Sequence, residues 1–413
     1  LVHPRSLIIL GSTGSIGTQA IEVVRHAAQL ARERGEQPPL RIVGLAAGSN
    51  APLLVQQARE FGVGTIALRD ERAQLQEETT RVLRGTSSAE ELVASVPCDI
   101  VLAAMVGSAG LPATLRAVRD GRIIALANKE TLVAAGSLMV EAARHSGSAL
   151  LPVDSEHAAL WQCLVGSGTG PASRHDTAPN APAFGPDAPL LRHVSRAILT
   201  ASGGPFRTWS KDAIEHATPE QALRHPTWSM GSKVTIDSAG LMNKALELIE
   251  AHWLFGLPAD KLGAVVHPQS IVHAIVELHD GSSVAQLAPP DMRIPIQRAL
   301  LWPRCQAGPA RGLDWTKLAS LQFEAPDLER FPALGFADVV MRAGGASGCV
   351  LNAANEVAVQ AFLQGSLPFG RIARVVRHVL HALSDLPANT LEQVQQAEQV
   401  ARDEAQRALT TVR

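Results

Sequence analysis

The stretch Leu7-Ile8-Ile9-Leu10-Gly11-Ser12-Thr13-Gly14-Ser15-Ile16-Gly17 decides the reading of this chain, because an apolar run passes at once into three glycines spaced three apart. The amphipathic segment Thr18 to Leu30 follows. A continuous apolar run suits a strand buried on both faces, and a strand turning sharply into a helix opens a parallel sheet wrapped by helices. Glycines let the backbone approach a pyrophosphate closely, and the amides of a helix N-terminus can meet its charge. The G-x-x-G-x-x-G spacing is a relative of the usual dinucleotide fingerprint, although a tight turn without a ligand can use the same residues.

Outward from this turn, the first 150 residues alternate β-like and helical runs. Strands are expected at Leu7 to Leu10, Arg41 to Ala47, Thr65 to Leu68, Ile100 to Met105, Ile123 to Ala127 and Ala149 to Val153. Ligands of such a sheet gather at the carboxyl ends of its strands. The Gly- and Pro-rich stretch Gly166 to Pro189 reads as an exposed loop. Beyond it the pattern predicts a strand from Val194 to Thr200, a strand from Lys233 to Ile236 and a helix from Ala239 to Phe255. Ile271 to Leu278 and Ser283 to Leu287 flank Asp280-Gly281, a hairpin signal. Trp302 to Pro326 reads as a connection, and Phe331 to Ala343, Val350 to Gln364, Phe369 to Leu383 and Thr390 to Val412 as a helical bundle. The expected architecture is α/β. It has a Rossmann-like parallel-sheet domain over residues 1–153, a central α+β catalytic domain over 154–301, a linker over 302–327 and a C-terminal α-helical domain over 328–413.

Composition narrows the partners. With 413 residues, 46% hydrophobic and 18% charged, the chain can bury a large core. A net charge of −2 gives no electrostatic reason to expect nucleic acid or an anionic membrane. Cys98, Cys163, Cys305 and Cys349 are scattered, so neither a thiolate zinc site nor a disulfide framework is indicated and a reducing cytoplasm is expected. There is no run of 18 apolar residues, and the chain enters a strand within six residues, which reads as leaving no room for a signal peptide.

Asp154-Ser155-Glu156 follows the apolar run Ala149 to Val153. In an extended segment the two acids point to one side, a pair that calls for a cation. The alternative is a helix start capped by Ser155. Asn243, Lys244 and Glu247 can share a helix face, either as an exposed pair or as the source of a third carboxylate for Mg²⁺ or Mn²⁺. Asn128-Lys129-Glu130 ends a strand, so Lys129 is expected to face the crevice. The second strand ends in Gly48-Ser49-Asn50 with no acid for ribose hydroxyls, which favours NADP over NAD, with Ser49 and Asn50 as donors. Ser202-Gly203-Gly204-Pro205 suits a phosphate or a sugar. His225 to Gly231, with Trp228 and Met230, reads as a movable lid or as a surface loop packed by its tryptophan.

Taken in order, these segments closely resemble the 1-deoxy-D-xylulose 5-phosphate reductoisomerase family, through Gly11 to Gly17, Ala127 to Glu130, Leu151 to His157, Ser202 to Phe206, His225 to Gly231, Met242 to Lys244, His267 to Ser270 and Leu351 to Glu356. The resemblance implies a metal on Asp154, Glu156 and Glu247, with Lys129 beside it and Ser155 touching the substrate. It implies a substrate phosphate near Ser202, Ser238, Asn243 and Lys244, with His225 arriving from the lid and Trp228 covering the substrate. It implies cofactor contacts from Thr13, Gly14, Ser15, Ile16, Gly48, Ser49, Asn50, Asn128, Glu130 and Gly231. The implied activity is NADPH- and Mg²⁺- or Mn²⁺-dependent isomerisation and reduction of the ketose phosphate to 2-C-methyl-D-erythritol 4-phosphate, in isoprenoid biosynthesis. Ser49 stands where some members carry a basic residue. A homodimer is expected from the resemblance and from the apolar hairpin. Two other readings share the cofactor domain: a metal-independent NADP dehydrogenase, which should survive chelation, and a non-catalytic NADP sensor, which needs no metal site.

Overall fold

The computed structural model describes residues 3–73, 80–166, 189–228, 230–383 and 385–411. Seven parallel strands form the first sheet: β1 (Arg5–Leu10), β2 (Leu40–Ala47), β3 (Thr65–Leu68), β4 (Arg81–Arg84), β5 (Ile100–Ala103), β6 (Ile123–Leu126) and β7 (Leu150–Pro152), in the order β4-β3-β2-β1-β5-β6-β7. Every residue of β5 and β6 is buried, as a strand covered on both faces requires. The connecting helices are α1 (Ser15–Glu33), α2 (Ala51–Phe61), α3 (Ser88–Ser95), α4 (Leu111–Arg119) and α5 (Lys129–Ser146). The strand order reverses between β1 and β5, which puts the sheet's ligand crevice at the glycine turn. That turn demands glycine for packing. Gly11 has φ +90°, and a Cβ there would lie 2.4 Å from the Ala104 carbonyl oxygen; a Cβ on Gly17 would lie 2.2 Å from that of Gly11.

Helix α6 (Ser155–Gly166) leaves β7 directly, and residues 167–188 of the expected Gly- and Pro-rich loop lie outside the described residues. The second sheet holds β8 (Val194–Ala201), β9 (Leu262–Val266), β10 (Val272–Leu278) and β11 (Ser283–Leu287) in the order β11-β10-β8-β9. The Asp280-Gly281 hairpin is present as antiparallel β10 and β11, with Gly281 at φ +87°. Between β8 and β9 run α7 (Lys211–Glu215), α8 (Pro219–Ala222), α9 (Ser232–Ala239) and α10 (Met242–Phe255). The expected strand from Lys233 to Ile236 is therefore wrong: those residues are helical. The expected helix from Ala239 to Phe255 is broken at Leu241, whose φ of 58° ends α9 and starts α10 on a new axis.

Helix α11 (Arg293–Leu301) is tied to the first sheet by Arg5 of β1, whose two terminal nitrogens donate to the carbonyls of Trp302 at 2.8 Å and Leu300 at 2.7 Å. The last helices are α12 (Phe336–Ala343), α13 (Ser347–Leu363), α14 (Ile372–Ala382) and α15 (Leu391–Thr411). Both α10 and α13 pack on α5, which bends at Ala135. At the bend, Gly136 admits the ring of Trp253, and a Cβ would come within 2.3 Å of it. Among the described residues no helix is long and apolar enough to cross a membrane.

Candidate active site

A cavity of about 860 Å³ opens where the glycine turn, the end of β6, the start of α6 and helices α9 and α10 converge. It brings together Gly14, Ser15, Ile16, Asn128, Lys129, Glu130, Asp154, Ser155, Glu156, Ser202, His225, Trp228, Gly231, Ser238, Asn243, Lys244 and Glu247, all singled out from the sequence. Thr13, Gly48, Ser49 and Asn50 do not line it; the last three are exposed just beyond β2, on the other side of the glycine turn.

Asp154 and Glu156 do not meet by strand alternation. The chain is helical from Ser155, Asp154 sits at the helix start, and its Oδ1 accepts from the Ser155 amide at 2.9 Å. The helix-start reading and the cation reading thus hold together: α6 offers its positive end to the acids, and α10 supplies Glu247 from across the cavity. One oxygen each from Asp154, Glu156 and Glu247 lies within 4.8 Å of the other two. Oxygens around a Mg²⁺ at about 2.1 Å stand roughly 3 to 4 Å apart, so this set of hard donors fits such an ion.

Two buried lysines brace the acids. Lys129 Nζ lies 2.5 Å from Asp154 Oδ2 and 3.1 Å from Glu247 Oε1, and donates to Asn243 Oδ1 at 2.9 Å. Lys244 Nζ reaches Glu156 Oε1 at 2.8 Å and also bonds Glu247, which Asn243 contacts as well. Burial opposes the charge of Lys129, but Asp154, Glu247 and Glu250 outweigh it and hold the ammonium well above the usual lysine range. Burial likewise opposes ionisation of Asp154, and Lys129 and His157 overcome it, keeping the carboxyl below its usual range. Glu247 goes the other way, pushed up by burial and by its neighbour Glu156. Three carboxylates face two ammoniums, so negative charge is left over where an added cation would be stabilised.

A second polar group lies beside this one. His225 Nε2 stands 3.0 Å from Ser202 Oγ and 3.1 Å from Ser238 Oγ. Its Nδ1 accepts from the amides of Thr227 at 3.1 Å and Trp228 at 2.9 Å. With Nδ1 committed as an acceptor, the proton of the neutral ring sits on Nε2, aimed at the two hydroxyls. Burial lowers the pKa of this histidine, which favours the neutral ring. The Trp228 ring leans edge-on toward His273 at 6.4 Å between centroids.

The sequence reading missed several lining residues. Met105 and Val106 follow β5, Thr200 is the next-to-last residue of β8, His273 lies in β10, and Asp291 and Met292 lead into α11 at Arg293. Only Met105 and Val106 carried a usable signal, since they stand at the end of an expected strand in the crevice-forming position; Thr200 and His273 share their strands with other polar residues, and nothing in the local pattern set them apart.

Three family descriptions match along the chain. These are "1-deoxy-D-xylulose 5-phosphate reductoisomerase" over residues 7–136, "1-deoxy-D-xylulose 5-phosphate reductoisomerase C-terminal domain" over 150–255 and "DXP reductoisomerase C-terminal domain" over 287–404. A 1-deoxy-D-xylulose 5-phosphate reductoisomerase of Chlorobaculum tepidum is 45% identical over 412 residues, covering 98% of this chain and 100% of the relative. One of Ralstonia pickettii is 44% identical over 414 residues, with 98% and 97% covered. The solved Zymomonas mobilis enzyme in complex with NADPH superposes with a TM-score of 0.84 at 39% identity, covering 99% of this chain and 100% of that one. A DOX-P reductoisomerase in complex with NADPH, fosmidomycin and magnesium reaches 0.87 at 36% identity, with 99% of each chain covered. Full-length identity of this order, on a fold that brings the glycine turn and the acids to one cavity, means that the chain belongs to the 1-deoxy-D-xylulose 5-phosphate reductoisomerase family.

Proposed function

We propose that this chain uses NADPH and a divalent metal ion, Mg²⁺ or Mn²⁺, to isomerise and reduce 1-deoxy-D-xylulose 5-phosphate to 2-C-methyl-D-erythritol 4-phosphate, a step of non-mevalonate isoprenoid biosynthesis. The observation that carries this reading is the convergence of Asp154, Glu156 and Glu247 in the same cavity as the glycine turn. When bound, the ion supplies Lewis-acid polarisation of the ketose oxygens, and NADPH supplies the hydride. The remaining work falls to the chain's own side chains. Lys129, fixed by Asp154, Glu247 and Asn243, is placed to donate to an oxygen gaining negative charge as the carbon skeleton rearranges. Ser155 would contact the substrate from the start of α6. Ser202, Ser238, Asn243, Lys244 and His225 form the donor set that suits a phosphate dianion. Trp228 is the lid side chain that would exclude water from the hydride.

The same reading assigns the glycine turn, with Thr13, Gly14, Ser15 and Ile16, to the pyrophosphate. Helix α1 suits that task, because no side chain caps its N-terminus and no acid stands in its first turn. Gly48, Ser49 and Asn50 would take the adenosine phosphate; Asn50 Oδ1 caps α2 by accepting from Leu53, which leaves its amide nitrogen to donate. Asn128, Glu130 and Gly231 would meet the other half of the cofactor.

Residues 1–153, 154–301 and 328–413, with 302–327 as linker, are assigned to the cofactor-binding, catalytic and C-terminal domains. A homodimer is supported by β11, an edge strand of the second sheet whose outer side has no strand partner among the described residues, and sedimentation showing monomer alone would exclude it. Four free cysteines support a reducing cytoplasm as the site of action.

The test is NADPH consumption by the purified protein, followed by absorbance, with the ketose phosphate and Mg²⁺, with and without excess chelator. Consumption that needs both substrate and ion is the expected result. Turnover that survives chelation would favour the metal-independent dehydrogenase, and NADPH binding without turnover under either ion would favour the sensor.

A further inference from the structure

Lys233 occupies an awkward position. It stands in the first turn of α9, where a cation opposes the helix dipole, and only 17% of its side chain is exposed. Two carboxylates compensate it. Its ammonium lies 3.1 Å from Glu130 Oε1, in the first turn of α5, and 2.9 Å from Asp237 Oδ2 in its own helix. The other oxygen of Asp237 accepts from Asn355 Nδ2 at 2.7 Å, and both residues are buried. One polar line thus runs from the end of β6 through α9 to α13, joining parts of the molecule more than 200 residues apart in sequence.

The line ends at a functional edge. Glu130 follows Lys129, which reaches the acids, and Asn128, which donates to the Gly107 carbonyl at 2.9 Å. The sheet order fixes which half of a dinucleotide arrives there. With the pyrophosphate at β1, an adenosine lying toward β2 sends the other half across β5 to β6. At its other end, α9 begins directly after the loop that carries Trp228 and closes with Ser238 near its last turn. The loop after β5 is braced from the same quarter, since Ser108 donates to Glu398 of α15 at 2.7 Å.

We propose that Lys233 is a positioning residue for the nicotinamide half of the cofactor. Backed by Asp237 and Asn355, it fixes Glu130 and so ties the end of β6 to the helix that follows the substrate loop. The inference rests on the NADPH reading above and assigns Lys233 no contact with substrate.

Calorimetry with two probes tests it: NADPH itself and 2′,5′-ADP, which carries the adenosine phosphate but no nicotinamide. Lys233→Met should raise the NADPH Kd at least tenfold while leaving that of 2′,5′-ADP within twofold, and Lys233→Arg should recover most of the loss. Equal weakening of both probes would reduce Lys233 to a fold-stabilising pair and overturn the proposal, as would unchanged NADPH binding. If Lys233→Met does not fold, Asn355→Ala carries the test, with NADPH weakened about threefold or more and 2′,5′-ADP unchanged; the absence of that split overturns the proposal equally. Failure of the unaltered protein to bind 2′,5′-ADP at all would instead remove the cofactor reading on which the proposal stands.

Discussion

The glycine turn and the acid cluster share one cavity and are built by opposite means. At the turn the protein offers backbone, and what matters is the side chains it lacks: Gly11 and Gly17 press so closely on neighbouring carbonyls that no Cβ can enter. At the acid cluster it offers side chains from α5, α6 and α10, and what matters is charge, with three carboxylates held against two ammoniums. At Gly11 and Gly17 the first region therefore has no room for an added atom, while the second cannot lose charge.

The sharpest way to break this contrast is Asp154→Asn, which keeps shape and removes charge. Turnover should fall by about a thousandfold with NADPH binding retained, the order expected when metal-assisted charge stabilisation is lost. A loss below tenfold would show that charge at Asp154 is not what the cluster contributes. Next comes Gly17→Ala, which adds one methyl against the Gly11 carbonyl. Overpacking of this kind should lower the unfolding free energy by roughly 2 to 3 kcal/mol, read from the urea midpoint. Gly14→Ala sharpens the distinction, because its Cβ would meet nothing nearer than 3.4 Å. Stability should then change by less than about 0.5 kcal/mol, while the NADPH Kd rises roughly tenfold as the methyl intrudes on the pyrophosphate.

The smallest effect concerns pH. Burial lowers the folded-state pKa of His225 below its unfolded value near 6.5, so folding favours the neutral ring. Its contribution to stability is present above pH 6.5 and is lost as pH falls through the folded pKa, because protonation of Nδ1 breaks its bonds from the Thr227 and Trp228 amides. Comparing unfolding at pH 7.5 and 5.5 for the unaltered protein and His225→Gln should show a steeper acid loss in the former. Equal losses would show that the ring does not hold the loop.

The same contrast explains what could be read in advance. The glycine turn is contiguous, strand to glycines to helix, so its place in the fold could be read from residues 7–30 alone. The acid cluster is assembled from three separate segments, and its residues could be proposed individually while their approach came out wrong. Asp154 and Glu156 converge around a helix start and not along a strand. Val234-Thr235-Ile236 reads as a strand because β-branched residues favour one, yet Lys233 and Asp237 pair across a helical turn and Thr235 and Ile236 are buried there. The Lys233–Glu130 contact left no trace in local sequence, since its partners are 103 residues apart and Lys233 lay in an expected strand.

The bond from Asn355 to Asp237 has a temporal side. Its partners are separated by 118 residues, and at the usual 5 to 20 residues per second of synthesis the Asp237 carboxylate waits roughly 6 to 24 s for its amide. Lys233 and Glu130 are already made by then, but α13 is not. The polar line from Glu130 through Lys233 and Asp237 is therefore completed only once α13 has been made, and α13 acts as its latch.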